Sequence, residues 1–263
     1  MSARVLVTGA AGGIGGATMA ELRARGSVVL GLDLQGNGDD ILRCDVTDQG
    51  AVDTAVAAAI DRMGGLDVLV NNAGIGDAHS AAARPDASAA RVIDVNMLGP
   101  WRVTAAALPA LRASRGRVVN VASALALVTL PLATAYIMSK RGVAAYSDAL
   151  RLEVGDVVTV TTVYPGYIRT AIHDVPARRG VTLEGSVPAE RVEDAARAIA
   201  AAALGRPRRH VATTRSGAFM YAVARALPPR VLERAIRRRL ERTGFGTPLP
   251  LEPEAAAQEA PTA

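Results

Sequence analysis

The stretch RVLVTGAAGGIGGA, residues 4–17, decides the fold of this chain. It joins a run of aliphatic and β-branched residues, typical of a buried strand, to a glycine-rich turn and the start of a helix. Glycines at such a turn let the backbone approach a pyrophosphate, whose charge then lies at the positive end of the helix dipole. The stretch therefore predicts the first strand, turn and helix of a dinucleotide-binding fold.

The spacing of the glycines is compatible with two patterns. Gly9, Gly13 and Gly15 give G-x-x-x-G-x-G, whereas Gly9, Gly12 and Gly15 give G-x-x-G-x-x-G. A glycine pattern alone is a weak signal, because a tight structural turn produces one as well. Its position directly after the first strand strengthens the cofactor interpretation. The second spacing also permits a sugar-nucleotide epimerase or dehydratase as an alternative.

The rest of the chain alternates short β-rich runs with Ala-rich stretches of helical spacing. The Val/Leu runs are continuous rather than alternating with polar residues, which indicates strands buried on both faces. We therefore predict an α/β fold over residues 1–213, a Rossmann-type, doubly wound parallel sheet of about seven strands with helices on both faces. Strands are expected at residues 4–8, 28–32, 41–44, 66–70, 117–121, 157–163 and 209–213, and helices at 50–63, 87–113 and 191–203.

The composition favours a large apolar core and a reducing compartment. Half of the 263 residues are hydrophobic, and the single cysteine, Cys44, excludes an internal disulfide. The N-terminus lacks the charged-then-apolar pattern of a secretory signal, so a cytoplasmic location is expected. Residues 118–138 carry no charged side chain, but polar residues such as Asn120 and Ser123 favour a strand, a loop and a helix start over a membrane span. No His, Cys and Asp cluster has metal-ligand spacing, so no metal is predicted.

Positive charge is concentrated near the C-terminus, where residues 206–242 hold 11 Arg and 2 Glu. We predict a helical extension over residues 214–244, divided by Pro228–Pro229 into an apolar helix and a basic amphipathic helix. The basic helix, within residues 216–244, suits either peripheral contact with an anionic membrane or an arginine face packed on the protein itself. Because it lacks interleaved aromatic residues, no nucleic-acid partner is expected. The Pro-, Ala- and Glu-rich tail, residues 245–263, is predicted to be disordered.

Asp33 ends the second predicted strand, 18 residues after Gly15. A carboxylate at this position can accept hydrogen bonds from both adenosine-ribose hydroxyls, and it would repel a 2′-phosphate. Residues 8–16 contain no Arg or Lys that could bind such a phosphate. The charge pattern therefore favours NAD over NADP.

Further motifs follow in order along the chain. Together they resemble the short-chain dehydrogenase/reductase family, in its short, single-domain branch, over roughly residues 4–213. The resemblance implies an oxidoreductase that acts on an alcohol or carbonyl group with a nicotinamide cofactor. The motifs are T-G-A-A-G-G-I-G at 8–15, D-V at 45–46, N-N-A-G at 71–74, Asn96, Ser123, Y-I-M-S-K at 136–140 and P-G-Y-I-R-T at 165–170.

Lys140 is the only lysine in the chain and follows Tyr136 by four residues. A helix places residues four apart on one face, so the two side chains are expected to point the same way. An ammonium near a phenol favours the phenolate, and we therefore expect a lowered Tyr136 pKa and general acid/base behaviour. The resemblance implies that Ser123 holds the substrate oxygen and that Asn96 anchors a water connected to Lys140. The expected catalytic set is Asn96, Ser123, Tyr136 and Lys140.

The resemblance also implies a cofactor site built from the loops that follow the strands. The D-V motif would contact the adenine, the N-A-G residues would line the adenosine ribose, and the 165–170 segment would flank the nicotinamide. The implied cofactor-binding residues are Gly9, Ala11, Gly12, Gly13, Ile14, Gly15, Asp33, Asp45, Val46, Asn72, Ala73, Gly74, Tyr136, Lys140, Pro165, Gly166, Ile168 and Thr170.

The substrate is expected to be an apolar alcohol or ketone, such as a sterol, retinoid or fatty alcohol, because a lipid-like ligand and a membrane-facing extension go together. Residues 171–190 would select the substrate, and their sequence does not identify it. A homo-oligomer, dimer or tetramer, is also expected. Two alternatives are an NADPH-dependent ketoreductase, opposed by Asp33, and a non-catalytic NAD-binding regulator, opposed by the complete Ser/Tyr/Lys set.

Overall fold

The computed structural model describes residues 2–36, 38–179, 181 and 189–243. Its central sheet has seven parallel strands in the order β3-β2-β1-β4-β5-β6-β9. This arrangement confirms the predicted doubly wound fold. The strands are β1 Arg4–Thr8, β2 Val28–Asp33, β3 Ile41–Arg43, β4 Val68–Asn71, β5 Arg117–Val121, β6 Thr159–Tyr164 and β9 His210–Ala212, and a separate parallel pair is formed by β7 Tyr167–Ile168 and β8 Ala189–Glu190.

Helices cover both faces of the sheet. A π-helical turn, Asp94–Leu98, connects two of them, so the helix predicted at 87–113 continues through a local widening. The helices are α1 Gly13–Ala24, α2 Gln49–Met63, α3 Ala87–Ile93, α4 Gly99–Ser114, α5 Thr134–Val154, α6 Asp174–Arg178, α7 Val192–Leu204, α8 Arg215–Ala226 and α9 Pro229–Thr243.

The strands are apolar on both faces because each face has its own core. Leu6 of β1 is buried with residues of α2 and α4, whereas its neighbours Val5 and Val7 are buried with residues of α1 and α7. Successive residues of a strand point to opposite faces, so a strand covered on both sides needs apolar residues at every position. This explains the continuous Val/Leu runs of the sequence.

The direction of the chain in the sheet reverses between β1 and β4. From β1 the chain moves outward to β2 and β3, and then crosses to β4 on the other side of β1. In open parallel sheets, ligands bind in the crevice at the carboxyl ends of the strands at such a point. The glycine turn and the N-N-A-G motif both lie there, after β1 and β4.

Residues 118–138 form β5, a short 3₁₀ turn at Ala124–Ala126 and the start of α5, as predicted. Within the part of the chain that the structure describes, no helix combines the length and apolar character needed to cross a membrane.

Two helices, α8 and α9, follow β9. The Thr214 hydroxyl caps α8 by accepting a hydrogen bond from the Gly217 N–H at 3.0 Å. Tyr221 packs on the body of the protein, its ring centroid 5.2 Å from that of Tyr164. Phe219, on another face of α8, is 69% exposed. The tail predicted to be disordered, residues 245–263, lies outside the described residues.

Candidate active site

The glycine turn after β1 is built by close backbone approach. Gly9 has a φ of +67°, and a Cβ atom placed there would lie 2.7 Å from the Ala73 Cα. A Cβ at Gly15 would overlap the carbonyl oxygen of Gly9. Gly12 and Gly13 are both crowded, since an added Cβ would lie 3.3 Å from the Gly9 oxygen and 3.2 Å from the Thr170 Cγ2, respectively. The geometry therefore requires Gly9 and Gly15, which both glycine spacings share, and it does not distinguish Gly12 from Gly13 as the middle glycine.

The turn is fastened to the segment that follows β4. The Thr8 hydroxyl accepts hydrogen bonds from the backbone N–H groups of Asn72 and Ala73, both at 3.0 Å. The Asn72 side-chain amide donates in return to the carbonyl oxygens of Thr8 and Gly9, at 3.0 and 3.2 Å. The structure thus brings Asn72 and Ala73 to the glycine turn. Sequence reasoning missed Thr8, whose signal is a hydroxyl at the last position of an otherwise aliphatic strand.

Asp33 lies beside the glycine turn. Its carboxylate accepts a hydrogen bond from the Ala11 N–H and another from the Gln35 N–H, each at 3.0 Å. Each oxygen of an ionised carboxylate has a second lone pair, so both can still accept a hydroxyl. Arg43 is paired with Asp33 in the register of β2 and β3, and its side chain is exposed.

Asp45 and Val46 lie on the loop after β3. The Asp45 carboxylate accepts hydrogen bonds from the Thr47 N–H at 2.9 Å and hydroxyl at 2.7 Å, and these bonds lower the Asp45 pKa. Val46 is buried, and its Cγ2 would lie 2.9 Å from a Cβ at Gly99. The loop is therefore held in one shape by its own contacts and by the start of α4.

Three parts of the fold carry the predicted catalytic residues: the loop after β5 holds Ser123, α5 holds Tyr136 and Lys140, and the π-helical turn holds Asn96. Ser123 follows β5, and its hydroxyl accepts a hydrogen bond from the Leu125 N–H at 3.2 Å. The same hydroxyl lies near enough to the Tyr136 phenol to lower the pKa of that phenol. Lys140 Nζ donates to the Val121 carbonyl oxygen at 3.1 Å and lies 5.7 Å from the centroid of the Tyr136 ring. The predicted shared orientation of Tyr136 and Lys140 on α5 is consistent with these contacts.

Asn96 lies in the π-helical turn, fully buried. Its side-chain oxygen accepts from the Ile75 N–H at 2.8 Å, and its amide donates to the Ile75 oxygen at 2.9 Å and to the Ser139 hydroxyl at 3.1 Å. A Cβ at Gly74 would lie 3.3 Å from the Asn96 oxygen and 3.4 Å from Lys140 Nζ. The amide therefore fixes the end of the N-N-A-G segment against the lysine. π-helical turns are common at functional sites.

Desolvation is the largest influence on the pKa values of Tyr136 and Lys140. Tyr136 is half-buried, and its surroundings desolvate the phenolate and raise the Tyr136 pKa, an effect that the nearby Ser123 hydroxyl opposes. Burial lowers the pKa of Lys140 to about 8. The expected lowering of the Tyr136 pKa by the ammonium is therefore wrong for the chain by itself. The Lys140 head group instead donates to the Val121 carbonyl.

The segment from Pro165 to Thr170 runs from Ser123 to the glycine turn. At one end the Pro165 carbonyl accepts from the Ala124 N–H at 2.8 Å, and at the other the Thr170 side chain lies over Gly13. Between them the Gly166 N–H donates to the Glu190 carboxylate at 3.1 Å. Sequence reasoning missed Glu190, because a lone acid ahead of a helix gives no signal of a contact 24 residues away.

Residues 171–179 cover the neighbouring side of the site. The backbone oxygen of Ile172 lies directly over Gly76, leaving no room for a side chain there. The Arg179 guanidinium pairs with the Asp77 carboxylate at 3.3 Å. His173 packs edge-on against Tyr167, with 4.8 Å between ring centroids, and burial lowers its pKa. Of the predicted substrate-selecting loop, residues 180 and 182–188 lie outside the described residues.

Comparison with known proteins places this geometry among dehydrogenases. A family model described as short chain dehydrogenase matches residues 3–177. Retinol dehydrogenase 16 of Homo sapiens is 38% identical over 187 residues, which cover 64% of this chain and 57% of that protein. D-beta-hydroxybutyrate dehydrogenase of Rhizobium meliloti (strain 1021) is 34% identical over 147 residues, 53% of this chain and 57% of that protein. The chain thus spans little more than half the length of these two relatives.

The fold comparison agrees with the sequence comparison. This chain is similar in structure to a short chain dehydrogenase from Burkholderia cenocepacia J2315, whose crystal structure is in complex with NADP. The two chains have 25% sequence identity, and the TM-score is 0.74. The match covers 89% of this chain and 97% of that one.

Proposed function

The chain belongs to the short chain dehydrogenase family, and on that premise we propose that it is an oxidoreductase that transfers a hydride between an alcohol or carbonyl substrate and NAD(H). The observation that carries the proposal is the convergence of Ser123, Tyr136 and Lys140 at the carboxyl edge of the sheet. The Lys140 head group lies 5.7 Å from the centroid of the Tyr136 ring, and Ala124, next to Ser123, donates a hydrogen bond to Pro165 of the 165–170 segment.

The residues present fit a dinucleotide. Side chains are absent where a backbone must be approached: a Cβ at Gly9 would collide with Ala73 after β4, and a Cβ at Gly15 would collide with Gly9 of the turn. The N-terminal N–H groups of α1, which have no helical partner, would hold the pyrophosphate. When bound, the nicotinamide supplies the hydride acceptor or donor. The remaining predicted contacts, from Asp33 to Thr170, would hold the two riboses, the adenine and the nicotinamide.

The chain's own residues handle the proton. The Tyr136 phenol oxygen would take the proton from a substrate alcohol or give one to a carbonyl, while the Ser123 hydroxyl holds the same oxygen. Lys140 donates one hydrogen bond to the Val121 carbonyl and keeps two further N–H donors for a ribose hydroxyl. With a pKa of about 8, it is largely protonated at pH 7. Its charge would then favour the phenolate at the moment of transfer.

The Tyr136→Phe variant tests this assignment. We expect turnover to fall by at least two to four orders of magnitude, the usual contribution of a general acid or base. NADH affinity, measured by fluorescence titration, should change less than twofold, since the ring is retained. An active Tyr136→Phe enzyme would refute the role of the phenol.

We propose NAD rather than NADP as the preferred cofactor, because the Asp33 carboxylate faces the glycine turn and would repel a 2′-phosphate. The exposed Arg43, which pairs with Asp33 in the register of β2 and β3, favours NADP instead, because an arginine there could bind the 2′-phosphate. Titration with NADH and NADPH decides between them. NADH should bind more tightly, and Arg43→Ala should leave NADH binding unchanged. Tighter binding of NADPH, lost in Arg43→Ala, would reverse the assignment.

We propose an apolar substrate, such as a sterol, retinoid or fatty alcohol. The support is residues 124–133, ALALVTLPLA, which follow Ser123 and carry no charged or amide side chain. Most of these residues are half-buried beside the site. A panel of retinols, sterols and fatty alcohols, compared with hydroxy acids and sugars, tests this in the presence of NAD. Oxidation of the polar compounds alone would exclude an apolar substrate.

We also propose that α9 makes a peripheral contact with an anionic membrane. Arg234 and Arg238 are exposed. Val231, which lies two helical turns before Arg238 on the same face, is 50% exposed. Leu232 and Ile236 are half-buried, so part of the apolar face is already used. The side chains of Arg239 and Leu240 lie outside the described residues. Salt-sensitive sedimentation with phosphatidylglycerol vesicles, reduced in Arg234→Glu/Arg238→Glu, is expected, and equal sedimentation of both proteins would exclude the contact.

We propose a homo-oligomer formed through exposed apolar side chains on α4 and α5. Trp101 on α4 is 58% exposed, and Leu152 on α5 is 89% exposed. Light scattering after gel filtration should give the mass of a dimer or tetramer. Trp101→Glu and Leu152→Glu should shift that mass toward the monomer, whereas a monomeric wild-type protein would exclude the proposal.

A further inference from the structure

Glu190 joins two parts of the chain that are distant in sequence, the loop at Gly166 and the residues Thr213 and Thr214. Its carboxylate accepts hydrogen bonds from the Gly166 N–H at 3.1 Å, from the Thr214 hydroxyl at 2.8 Å and from the Thr213 hydroxyl. It therefore connects the loop after β6 to the end of β9 and to the capping residue of α8. The negative charge also lies near the first turn of α8, where the helix dipole stabilises an anion.

The same carboxylate lies directly over position 166. A Cβ atom on Gly166 would lie 2.6 Å from the Glu190 Oε1, closer than a carbon and an oxygen can approach. A side chain at position 166 would therefore displace the Glu190 carboxylate from its present contacts. The next two residues pair with that strand, Tyr167 opposite Ala189 and Ile168 opposite Glu190.

The segment held by Glu190 lies along the candidate site. Pro165 is bonded to Ala124, next to Ser123, and Thr170 lies over Gly13. A displacement of Gly166 would therefore move a chain segment that is fixed at the catalytic serine at one end and at the glycine turn at the other. Glu190 anchors the Pro165–Thr170 segment between those two ends.

We propose that Glu190 is a positioning residue that sets the height of the Pro165–Thr170 segment over the nicotinamide end of the cofactor and couples this segment to α8. The inference rests on the proposed function for its effect on the cofactor, but the positioning itself is a property of the chain alone. It assigns to the start of the C-terminal extension a part in shaping the site.

Two readouts of Glu190→Ala test the proposal. Amide hydrogen exchange, in the absence of cofactor, should accelerate at Gly166 and around Thr214. The dissociation constant for NADH should rise about tenfold, the fold-change expected from losing one hydrogen bond to a charged group. Glu190→Gln, which retains one acceptor oxygen, should fall between the wild type and Glu190→Ala in both measurements.

Asp67→Asn is the matched control. It breaks the Arg4–Asp67 ion pair, 2.7 Å long, which lies at the amino ends of β1 and β4, away from the candidate site. This substitution should lower the stability of the protein without changing hydrogen exchange at Gly166 or the affinity for NADH. The steric contact has its own test, because Gly166→Ala should weaken NADH binding strongly in the wild type and much less in a Glu190→Ala background. Additive effects of these two substitutions would overturn the assigned contact.

The outcomes separate this inference from the proposed function. Unchanged exchange at Gly166 in Glu190→Ala overturns the positioning role, whatever the cofactor does. Faster exchange with an unchanged NADH dissociation constant overturns the link to the cofactor. A wild-type chain that binds neither NADH nor NADPH overturns the proposed function and that link, while the exchange result still decides whether Glu190 positions the segment.

Discussion

Replacing Lys140 with Met should abolish turnover and yet remove a source of instability. The Lys140 side chain is buried, and burial lowers its pKa from 10.5 to about 8. One pKa unit corresponds to about 1.4 kcal/mol, so holding this ammonium in the folded protein costs about 3 kcal/mol wherever both states are protonated. Met has a similar length and no charge, and it leaves no large cavity.

The sign of the pH dependence follows from the two pKa values. Between pH 8 and 10.5 the unfolded chain binds the lysine proton and the folded chain does not, so stability from this group rises with pH. Below pH 8 the full penalty applies, and above pH 10.5 it disappears. The variant loses the hydrogen bond to the Val121 carbonyl, which offsets about 1–3 kcal/mol of the gain. We therefore expect a variant as stable as the wild type, or more stable, at pH 7.

Urea unfolding followed by circular dichroism at pH 7 and pH 10.5 measures the effect. Between pH 7 and pH 10.5, the unfolding free energy of the wild type should rise by about 3 kcal/mol relative to that of the variant. Arg112→Met, which removes one exposed charge from α4, is the control and should show no such shift. A difference that is the same at both pH values would refute the reasoning, because Lys140 would then carry no buried charge.

Three further predictions concern the site. Gly15→Ala should abolish NADH binding in a fluorescence titration, since its Cβ would overlap the Gly9 carbonyl, and binding within twofold of the wild type would contradict the assigned turn geometry. Asn96→Ala should lower the unfolding free energy in urea by about 2–4 kcal/mol, because it leaves the N–H and carbonyl groups of Ile75 unpaired, and a loss below about 1 kcal/mol would contradict their burial. Alcohol oxidation should rise with pH through the neutral range in a pH–rate profile, because the raised pKa of Tyr136 leaves little phenolate at pH 7, and a flat profile would argue against the phenol as base.

The sheet and the glycine turn could be predicted because their signals are local. A parallel strand buried on both faces needs apolar residues at nearly every position, so the Val/Leu-rich runs of strands such as β1, β4 and β5 appear directly in the sequence. The paired strands β7 and β8 were missed, since two residues each are too few to produce a periodic pattern. The helix predicted at 87–113 was right in extent, but nothing local indicated the π-helical turn that presents Asn96.

The fold, the glycine turn and the chemical types at the candidate site follow from the order and spacing of residues within short segments, so they can be read from the sequence. The groups that each side chain contacts depend instead on how distant segments pack together. Glu190 meets Gly166 across 24 residues, and Thr8 meets Asn72 and Ala73 across a strand pairing. The tertiary structure also decided the sign of the Tyr136 pKa shift, because desolvation depends on everything packed around a group, whereas helical spacing shows only which neighbour is one turn away.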